Sequence, residues 1–193
     1  MKLTGKKLIL LFLYAPTTGN EVNVPIAGRT RLMKMGFLFK EEILIDFQKD
    51  KTFDELDLPE YFAWKYGPFS SELLNDIEFL VNQNYVESRS EKAPIAAELD
   101  EAEYAEYYFW VEDMDAFRFR EYDEETFELT KDKGIPKAEE FWVKLTENQK
   151  KYMSEFKNVL NNASLSRILE YVYKKYQEKG YTDKSLIRER YLS

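Results

Sequence analysis

The chain contains neither cysteine nor histidine among its 193 residues. These absences exclude disulfides, thiol nucleophiles, zinc sites built on Cys or His, and imidazole acid–base chemistry such as the Ser-His-Asp arrangement. The 7 glycines form no Gly-rich phosphate loop. Two carboxylates and a lysine can always be chosen from 36 acidic and 28 basic residues, so such a set says nothing about catalysis. The sequence therefore predicts a protein without enzymatic activity and without a cofactor.

Long apolar runs are equally scarce. The N-terminal run Leu8–Ala15 is far shorter than the roughly 20 residues that a membrane-spanning helix needs. Three lysines precede this run, as in a secretory signal, but residues 15–19 (Ala-Pro-Thr-Thr-Gly) make a poor cleavage site. The sequence therefore predicts a buried helix in a cytoplasmic protein that does not associate with a membrane.

Negative charge is concentrated in one stretch of the chain. Residues 98–128 have a net charge of −11, which exceeds the −8 of the whole protein, whereas residues 129–193 have a net charge of +5. Three interpretations of the acidic stretch stay open: a solvated hairpin held by salt bridges, a carboxylate site for a hard cation, and a phosphate-mimicking surface for a basic partner. The stretch contains no Asp-x-Asp-x-Asp-Gly loop, so we predict no metal site.

Residues 59–90 show an order of elements that is typical of the second half of a winged helix-turn-helix. An aromatic run over residues 61–66 predicts a short extended segment, which a Gly-Pro dipeptide ends because proline disfavours helix at the preceding residue. Apolar residues then recur at helical spacing over residues 70–84, with Ser70 or Ser71 as the N-cap. A β-type stretch follows this helix.

Hydrophobic periodicity and capping signals predict further elements on both sides of this module. The predicted helices cover residues 4–15, 29–42 (with Thr30 as the N-cap) and 135–160, followed by a Ser164-capped helix that Gly180 ends and a short helix within 182–190. The predicted strands lie near residues 85–90, 104–111, 116–122 and 125–130, and residues 43–58 are predicted as a turn of helix and a loop.

Together these elements predict an α+β fold with a winged helix-turn-helix core, an enlarged β wing and a helical C-terminal extension. The core spans residues 1–134, with an acidic wing insertion at about residues 90–125, and the extension spans residues 135–193. The apolar stripes on the C-terminal helices are aromatic-rich and long for so small a core, which predicts a homodimer formed through these helices.

Several short motifs resemble those of a known family. The segments that carry the likeness are Gly28–Met35, Tyr66–Ser70 (Tyr-Gly-Pro-Phe-Ser), Leu80–Glu87, Phe127–Gly134 and, in the C-terminal helix, Leu165–Tyr176. They resemble an uncharacterised prokaryotic winged-helix family that is labelled as predicted transcriptional regulators. The Tyr-Gly-Pro-Phe-Ser turn is also similar, more distantly, to the Panacea antitoxin domain. The resemblance implies a winged-helix fold but little about function, because one fold hosts many functions.

A DNA-reading winged helix offers Arg, Lys, Asn or Gln to base edges from the helix after the turn, and cations to phosphates. On these grounds the sequence predicts a DNA-binding regulator with double-stranded DNA as its partner. The candidate contacts are Arg29, Arg31, Lys34, Ser70, Ser71, Asn75, Arg89 and Lys92. The alternative for the cations is that they are solvated charges beside a buried helix.

The outward face of the predicted 70–84 helix weakens this prediction, because a helical wheel places no Lys or Arg on it. The alternative function is a winged helix that has lost DNA binding and serves as an adaptor or antitoxin-like protein, which binds a protein partner through this helix and the acidic wing. Its candidate contacts are Glu72, Asp76 and Phe79. Phe79 also has a plainer explanation, in which the wing or the C-terminal helices cover its ring.

Overall fold

The computed structural model describes residues 1–94 and 121–192 and shows a mixed α+β fold. The helices are α1 (Gly5–Tyr14), α2 (Arg29–Leu38), α3 (Leu44–Gln48), α4 (Ser71–Asn82), α5 (Gly134–Trp142), α6 (Glu147–Asn162), α7 (Leu165–Tyr176) and α8 (Arg188–Leu192). The strands are β1 (Lys2–Thr4), β2 (Ile26–Ala27), β3 (Glu55–Asp57), β4 (Phe62–Trp64), β5 (Gly67–Phe69), β6 (Val86–Pro94) and β7 (Glu121–Leu129). The predicted strand near residues 104–111, almost all of the one near 116–122, and most of the acidic stretch lie outside the described residues.

The described strands form three small sheets. β1 and β3 pair in parallel, and β4 and β5 form an antiparallel hairpin. The third sheet is antiparallel with the order β2-β7-β6, in which Phe127 of β7 lies opposite Ile26. This sheet places β2 close to β6. β2 directly precedes α2, and β6 directly follows α4.

α1 lies at the centre of the core because its sequence is apolar around most of its circumference. Residues Leu8–Leu13 are almost completely buried. α4, α5 and α6 pack against α1, and Ala138, Met153 and Val172 of the C-terminal helices belong to the same buried cluster. The predicted division of the chain at residue 134 stays a prediction, but the helices after it complete the core of the part before it.

Side-chain caps determine where several helices begin. The capping hydroxyls belong to Thr4, Ser70, Thr146 and Ser164, each of which accepts a hydrogen bond from a backbone N–H three residues later. The predicted caps at Ser70 and Ser164 are confirmed. α7 ends at Tyr176 and continues as a 3₁₀ turn over Gln177–Lys179. The predicted stop at Gly180 is confirmed, since this glycine ends the 3₁₀ turn in a left-handed conformation with φ of 75°.

The prediction of one long helix over residues 135–160 is wrong, because α5 ends at Trp142 and α6 begins at Glu147. The reason is a capping box, in which Thr146 and Gln149 bond to each other's backbone N–H groups. The Gln149 amide also donates to the carbonyl oxygen of Phe47 at 2.7 Å, so the break in the helix is tied to α3.

The second predicted helix differs from the structure at both ends. Thr30 is not its N-cap, because α2 begins at Arg29 after Gly28, whose φ of 86° favours glycine. The helix also continues beyond residue 42, through a π-helical turn (Phe39–Ile43) into α3. Residues 43–58 further contain β3, which periodicity does not reveal since its three residues gain their partner from β1 at the far N-terminus.

The Gly67-Pro68 dipeptide forms part of a strand and does not end the extended segment. The reversal occurs at residues 65–66, after which β5 pairs back along β4. Gly67 has a φ of 83°, and a Cβ at this position would lie 3.2 Å from the ring of Tyr173. The turn therefore requires glycine both for its backbone conformation and for its close approach to α7.

Lys157 on α6 is completely buried beside α1, an unusual position for an ammonium group. Its Nζ donates a hydrogen bond to the carbonyl oxygen of Leu13, in the last turn of α1, at 2.7 Å. Burial lowers the pKa of Lys157 to about 7, because a charged ammonium is poorly solvated there. The folded protein therefore holds the Lys157 proton less tightly than the unfolded chain does.

Candidate functional site

α4 is fixed at both ends and buried along one face. The Ser70 hydroxyl accepts a hydrogen bond from the backbone N–H of Leu73 at the start of the helix. At its end, the N–H groups of Asn84 and Tyr85 bond to carbonyl oxygens of the last turn, which is a Schellman motif. The buried face consists of Leu73, Ile77 and Leu80. The opposite face is thereby presented as a rigid surface, and the predicted helix over residues 70–84 is confirmed.

The exposed face of α4 carries carboxylates and no cation. Its members are Ser71, Glu72, Asn75, Glu78, Phe79, Asn82 and, just after the helix, Gln83. The helix contains no Lys or Arg at any position. The predicted outward face is confirmed with two differences: Glu78 belongs to it, and Asp76 is mostly shielded.

Phe79 is 46% exposed at the middle of this face. The ammonium group of Lys6, in the first turn of α1, lies 5.0 Å from the centroid of the Phe79 ring. The same ammonium group pairs with Asp76 Oδ1 at 2.5 Å. The described residues therefore cover only about half of the Phe79 ring, so neither the described part of the wing nor the C-terminal helices bury it.

Arg31 and Lys34, two predicted phosphate contacts, are buried by the fold. Arg31 donates from Nη1 to the carbonyl oxygens of Leu160 and Ala163, at the end of α6, at 2.5 and 2.6 Å. Lys34 Nζ donates to the carbonyl oxygens of Tyr66 and Pro68 at 2.6 and 2.9 Å. Both cations thus satisfy backbone acceptors, and neither is presented to solvent.

The cations nearest the surface form ion pairs with carboxylates. Arg29 binds Glu125 through Nε and Nη2, at 2.5 and 3.1 Å, and Glu78 through Nη1 at 3.1 Å. Arg89 pairs with Glu128 at 2.7 Å and with Glu87 at 3.2 Å. The side chain of Lys92 lies outside the described residues. These pairs neutralise the positive charge that the sequence suggested for phosphate binding.

The remaining predicted contacts divide between structural and exposed positions. Ser70 is fully buried and serves as the helix cap. Ser71 and Asn75 are exposed on α4. Glu72, also exposed, accepts a hydrogen bond from the backbone N–H of Glu60 at 2.8 Å, which joins α4 to the segment before the hairpin. The fold therefore brings Ser71, Glu72 and Asn75 together on one exposed surface, whereas Asp76 is shielded beside Lys6.

Sequence analysis missed an aromatic cluster on the β4–β5 hairpin. The ring centroids of Phe62, Trp64 and Phe69 lie 5.5 to 6.2 Å from one another. Phe62 and Phe69 are cross-strand partners, and Trp64 follows Phe62 at the spacing of a strand face. Phe62 and Trp64 are 44% and 39% exposed. The alternation of Phe62 and Trp64 is the sequence signal that would have revealed this cluster.

The described part of the chain contains neither a cluster of metal-ligating side chains nor a helix that could span a membrane. Within residues 1–94 and 121–192, no group of three or more acidic side chains is arranged to hold a metal ion. None of the helices in these ranges is both long and apolar enough to cross a bilayer.

Comparisons with protein-family models, curated proteins and solved structures found no match for this chain.

Proposed function

We propose that this protein is a winged-helix module that binds another protein through the exposed face of α4 and has no catalytic activity. The observation that carries the proposal is the composition of this face, which presents carboxylates and a half-exposed phenylalanine but no Lys or Arg. An aromatic ring surrounded by polar groups is typical of a contact that a partner protein buries. The acidic groups around it favour a partner with a basic surface.

The order of the elements supports the winged-helix part of the proposal. α1, β2, α2 and α4 precede two antiparallel strands, β6 and β7, and β7 pairs with both β6 and β2. A winged helix-turn-helix has this order, in which the helix before the wing is the reading helix. α4 occupies that position, and α3 with the β4–β5 hairpin lengthens the connection before it.

Electrostatics favours a protein partner over DNA. Binding to a duplex depends on Lys and Arg that neutralise phosphates, and this term supplies nearly all non-specific affinity. Among the predicted cations whose side chains are described, Arg31 and Lys34 are buried against carbonyl groups, and Arg29 and Arg89 pair with glutamates. Phosphates that approach α4 would meet Glu72 and Glu78 first.

The proposal is tested by exchanging Phe79 for aspartate. The tagged full chain and its Phe79→Asp variant are used to recover partners from the native host, with quantification by mass spectrometry. Ile45→Asp is the matched control, because Ile45 is an exposed apolar residue on α3 and 71% exposed. We expect a partner that the wild type and the control retain and the Phe79 variant loses. Equal recovery by all three proteins would overturn the proposal.

A DNA-binding regulator is the second candidate function, and the element order favours it as well. Its contacts would be Ser71 and Asn75 on α4, with Arg29 and Arg89 released from their carboxylates to reach phosphates. Fluorescence anisotropy with a labelled random duplex at about 50 mM salt tests this candidate, since phosphate contacts weaken steeply as salt rises. Salt-sensitive binding of the duplex would support the regulator, and no binding at this salt would eliminate it.

The predicted homodimer through the C-terminal helices remains part of the proposal, as does the cytoplasmic location. Tyr152 and Val159 of α6 are exposed and seven residues apart, so they lie on one helix face. Sedimentation velocity of the wild type and of the double variant Tyr152→Asp/Val159→Asp tests the dimer. We expect a dimer that the double variant dissociates, and a monomeric wild type would contradict the prediction.

A further inference from the structure

A single cleft of about 240 Å³ lies between α4 and the three-stranded sheet and is open to solvent. Its lining residues include Ile77, Glu78 and Val81 of α4 and Ser88, Glu125 and Phe127 of the sheet. The volume lies below the roughly 300 Å³ at which sites for drug-sized ligands begin. The cleft therefore has room for one side chain, or for a small molecule of that size.

The inner part of the cleft is apolar. Ile77 and Phe127 are almost completely buried beneath it, and Val81 is partly exposed beside them. The guanidinium carbon of Arg29, which also lines the cleft, lies 6.0 Å from the centroid of the Phe127 ring. Apolar surface of this kind accommodates the methylene stem of a basic side chain, whose charged end stays at the polar rim.

The polar part of the cleft has an excess of negative charge, because two carboxylates face one guanidinium. Glu125 accepts two hydrogen bonds from Arg29 and one from the Ser88 hydroxyl. Glu78 accepts a single hydrogen bond from the described residues, which Arg29 Nη1 donates to Oε1 at 3.1 Å, and its side chain is 50% exposed. A carboxylate accepts more bonds than this, so Glu78 has acceptor capacity left for a second cation.

We propose that this cleft binds one guanidinium or ammonium group on an apolar stem, with Glu78 as its ion-pair partner. An anion would have to displace Glu78 and Glu125 from Arg29, whereas a cation neutralises the excess carboxylate without breaking these pairs. The inference goes beyond the proposed function, because it assigns a ligand site that does not include Phe79. An Arg or Lys side chain of a partner protein and a free organic amine both have the required chemistry.

The proposal is tested by titrating the ¹⁵N-labelled full chain with N-acetylarginine amide. N-acetylcitrulline amide is the matched control, since it has nearly the same shape and no charge. Ionic strength is held constant, because salt screens a partly exposed ion pair. We expect saturable shifts at the backbone amides of Ile77, Val81 and Ser88, with the arginine probe about fivefold tighter than the citrulline probe. Equal affinities, or shifts that are absent from these amides, would overturn the proposal.

Inorganic phosphate tests the opposite assignment, in which Arg29 is the binding group. It is titrated under the same conditions, and we expect no saturable shift at Ile77, Val81 or Ser88. Saturable binding of phosphate at these amides would overturn the proposal, because the cleft would then be an anion site.

Two variants of carboxylates on α4 assign the ion pair. Glu78→Gln should lower the affinity for the arginine probe to that for the citrulline probe. Glu72→Gln should keep the preference for arginine, because Glu72 is exposed on the first turn of the same helix and does not line the cleft. If the two variants behave alike, the assignment to Glu78 is wrong and the proposal fails.

A second pair of variants tests the cleft itself. Asn82 is an exposed residue that lines the cleft, so Asn82→Trp should obstruct it and abolish binding of the arginine probe. Asn75→Trp is the matched control, because Asn75 is exposed seven residues earlier on the same helix and outside the cleft. Binding that Asn82→Trp leaves unchanged would overturn the cleft as the site. Circular dichroism verifies that each variant is folded.

Recovery of partners from the native host distinguishes the two sources of the cation. A partner that Glu78→Gln releases and Glu72→Gln retains would identify the cation as a side chain of that partner. If both variants retain every partner while Glu78→Gln loses the preference for arginine, the ligand is a free amine.

The proposed function and this inference can fail separately. Equal recovery of partners by the wild type and Phe79→Asp would overturn the proposed function, but the titration with the purified chain would still decide the inference. Conversely, a partner that Phe79→Asp releases would leave the proposed function standing when the arginine probe does not bind, and the inference alone would be overturned.

Discussion

α2 and α4 are neighbouring helices that use charge in opposite ways. The cations of α2 turn inward: Arg31 and Lys34 are buried and bond to backbone carbonyl oxygens of distant segments. The carboxylates Glu72 and Glu78 of α4 face solvent, and no cation accompanies them on that helix. The comparison teaches that the basic residues at the start of α2 stabilise the fold, whereas the surface that a partner would meet is acidic.

The largest expected effect comes from removing an inward cation. Arg31→Ala leaves the carbonyl oxygens of Leu160, Ala163 and Ala27 without their hydrogen-bond donor, which should lower the free energy of unfolding by about 3 kcal/mol. Urea denaturation measures this change. Arg167→Ala is the control, because Arg167 is exposed on α7 and should change stability by less than about 0.5 kcal/mol. Similar losses in the two variants would contradict a structural role for Arg31.

Lys157 of α6 is a further basic side chain that lies inside the core, and burial lowers its pKa. Its folded-state pKa of about 7 lies below the ordinary value of 10.5. Between these two values the unfolded chain holds a proton that the folded protein releases, so the free energy of unfolding rises with pH, by about 2 kcal/mol from pH 7 to pH 9. Below pH 7 the penalty for burying the charge is present in full.

Urea denaturation at several pH values measures this slope. Lys157→Met should remove it, although the variant also leaves the carbonyl oxygen of Leu13 without its donor, so the absolute stability is not the readout. The slope should persist in Lys151→Met, which changes an exposed lysine of the same helix. An identical slope in the wild type and Lys157→Met would show that Lys157 is charged throughout this range.

Arg29 belongs to α2, as buried Arg31 and Lys34 do, but it pairs with carboxylates near the surface. Arg29→Gln should destabilise the protein by about 1 kcal/mol, because partly buried pairs with Glu78 and Glu125 are lost. Arg188→Gln, which removes a single exposed pair with Asp183, should cost less than about 0.5 kcal/mol. Thermal denaturation of both variants measures the difference in stability. Equal losses in the two variants would mean that the ion pairs of Arg29 contribute no more than an exposed surface pair.

The smallest expected effect on stability lies on α4. Phe79→Asp should change the free energy of unfolding by no more than about 0.5 kcal/mol, because the ring is half exposed and Lys6 is placed to pair with the new carboxylate. Urea denaturation measures the change. A loss comparable to that of Arg31→Ala would mean that Phe79 serves packing, and the comparison between the two helices would fail.

Local signals were enough to predict α1, α4 and α7 from the sequence. Ser70 and Ser164 mark helix starts, and an apolar face of α4 separates buried Leu73 and Ile77 from the exposed residues. Helical spacing and hydroxyl caps act within a few residues, so they can be read without the fold. The same reasoning identified Phe79 and Glu72 as exposed, and both predictions are confirmed.

Other features depend on contacts between distant parts of the chain. β3 forms because β1 provides its partner, and the break before α6 is reinforced by a bond from Gln149 to Phe47. No local pattern distinguishes Arg31, which reaches α6, from an arginine on a solvated surface. The ion pairs of Arg29 have the same origin, because Glu78 and Glu125 lie on separate elements that the fold brings to this guanidinium.

The sequence by itself determined the helical core and the lack of cations on α4, because helix periodicity and the residue types of one helix are local properties. The tertiary structure alone decided where the positive charges are used. A buried carbonyl oxygen needs a donor, and the long side chains of Arg31, Lys34 and Lys157 reach such acceptors at positions 32 to 144 residues away in the chain. This demand for donors removes these cations from the surface, whereas the exposed face of α4 keeps its carboxylates.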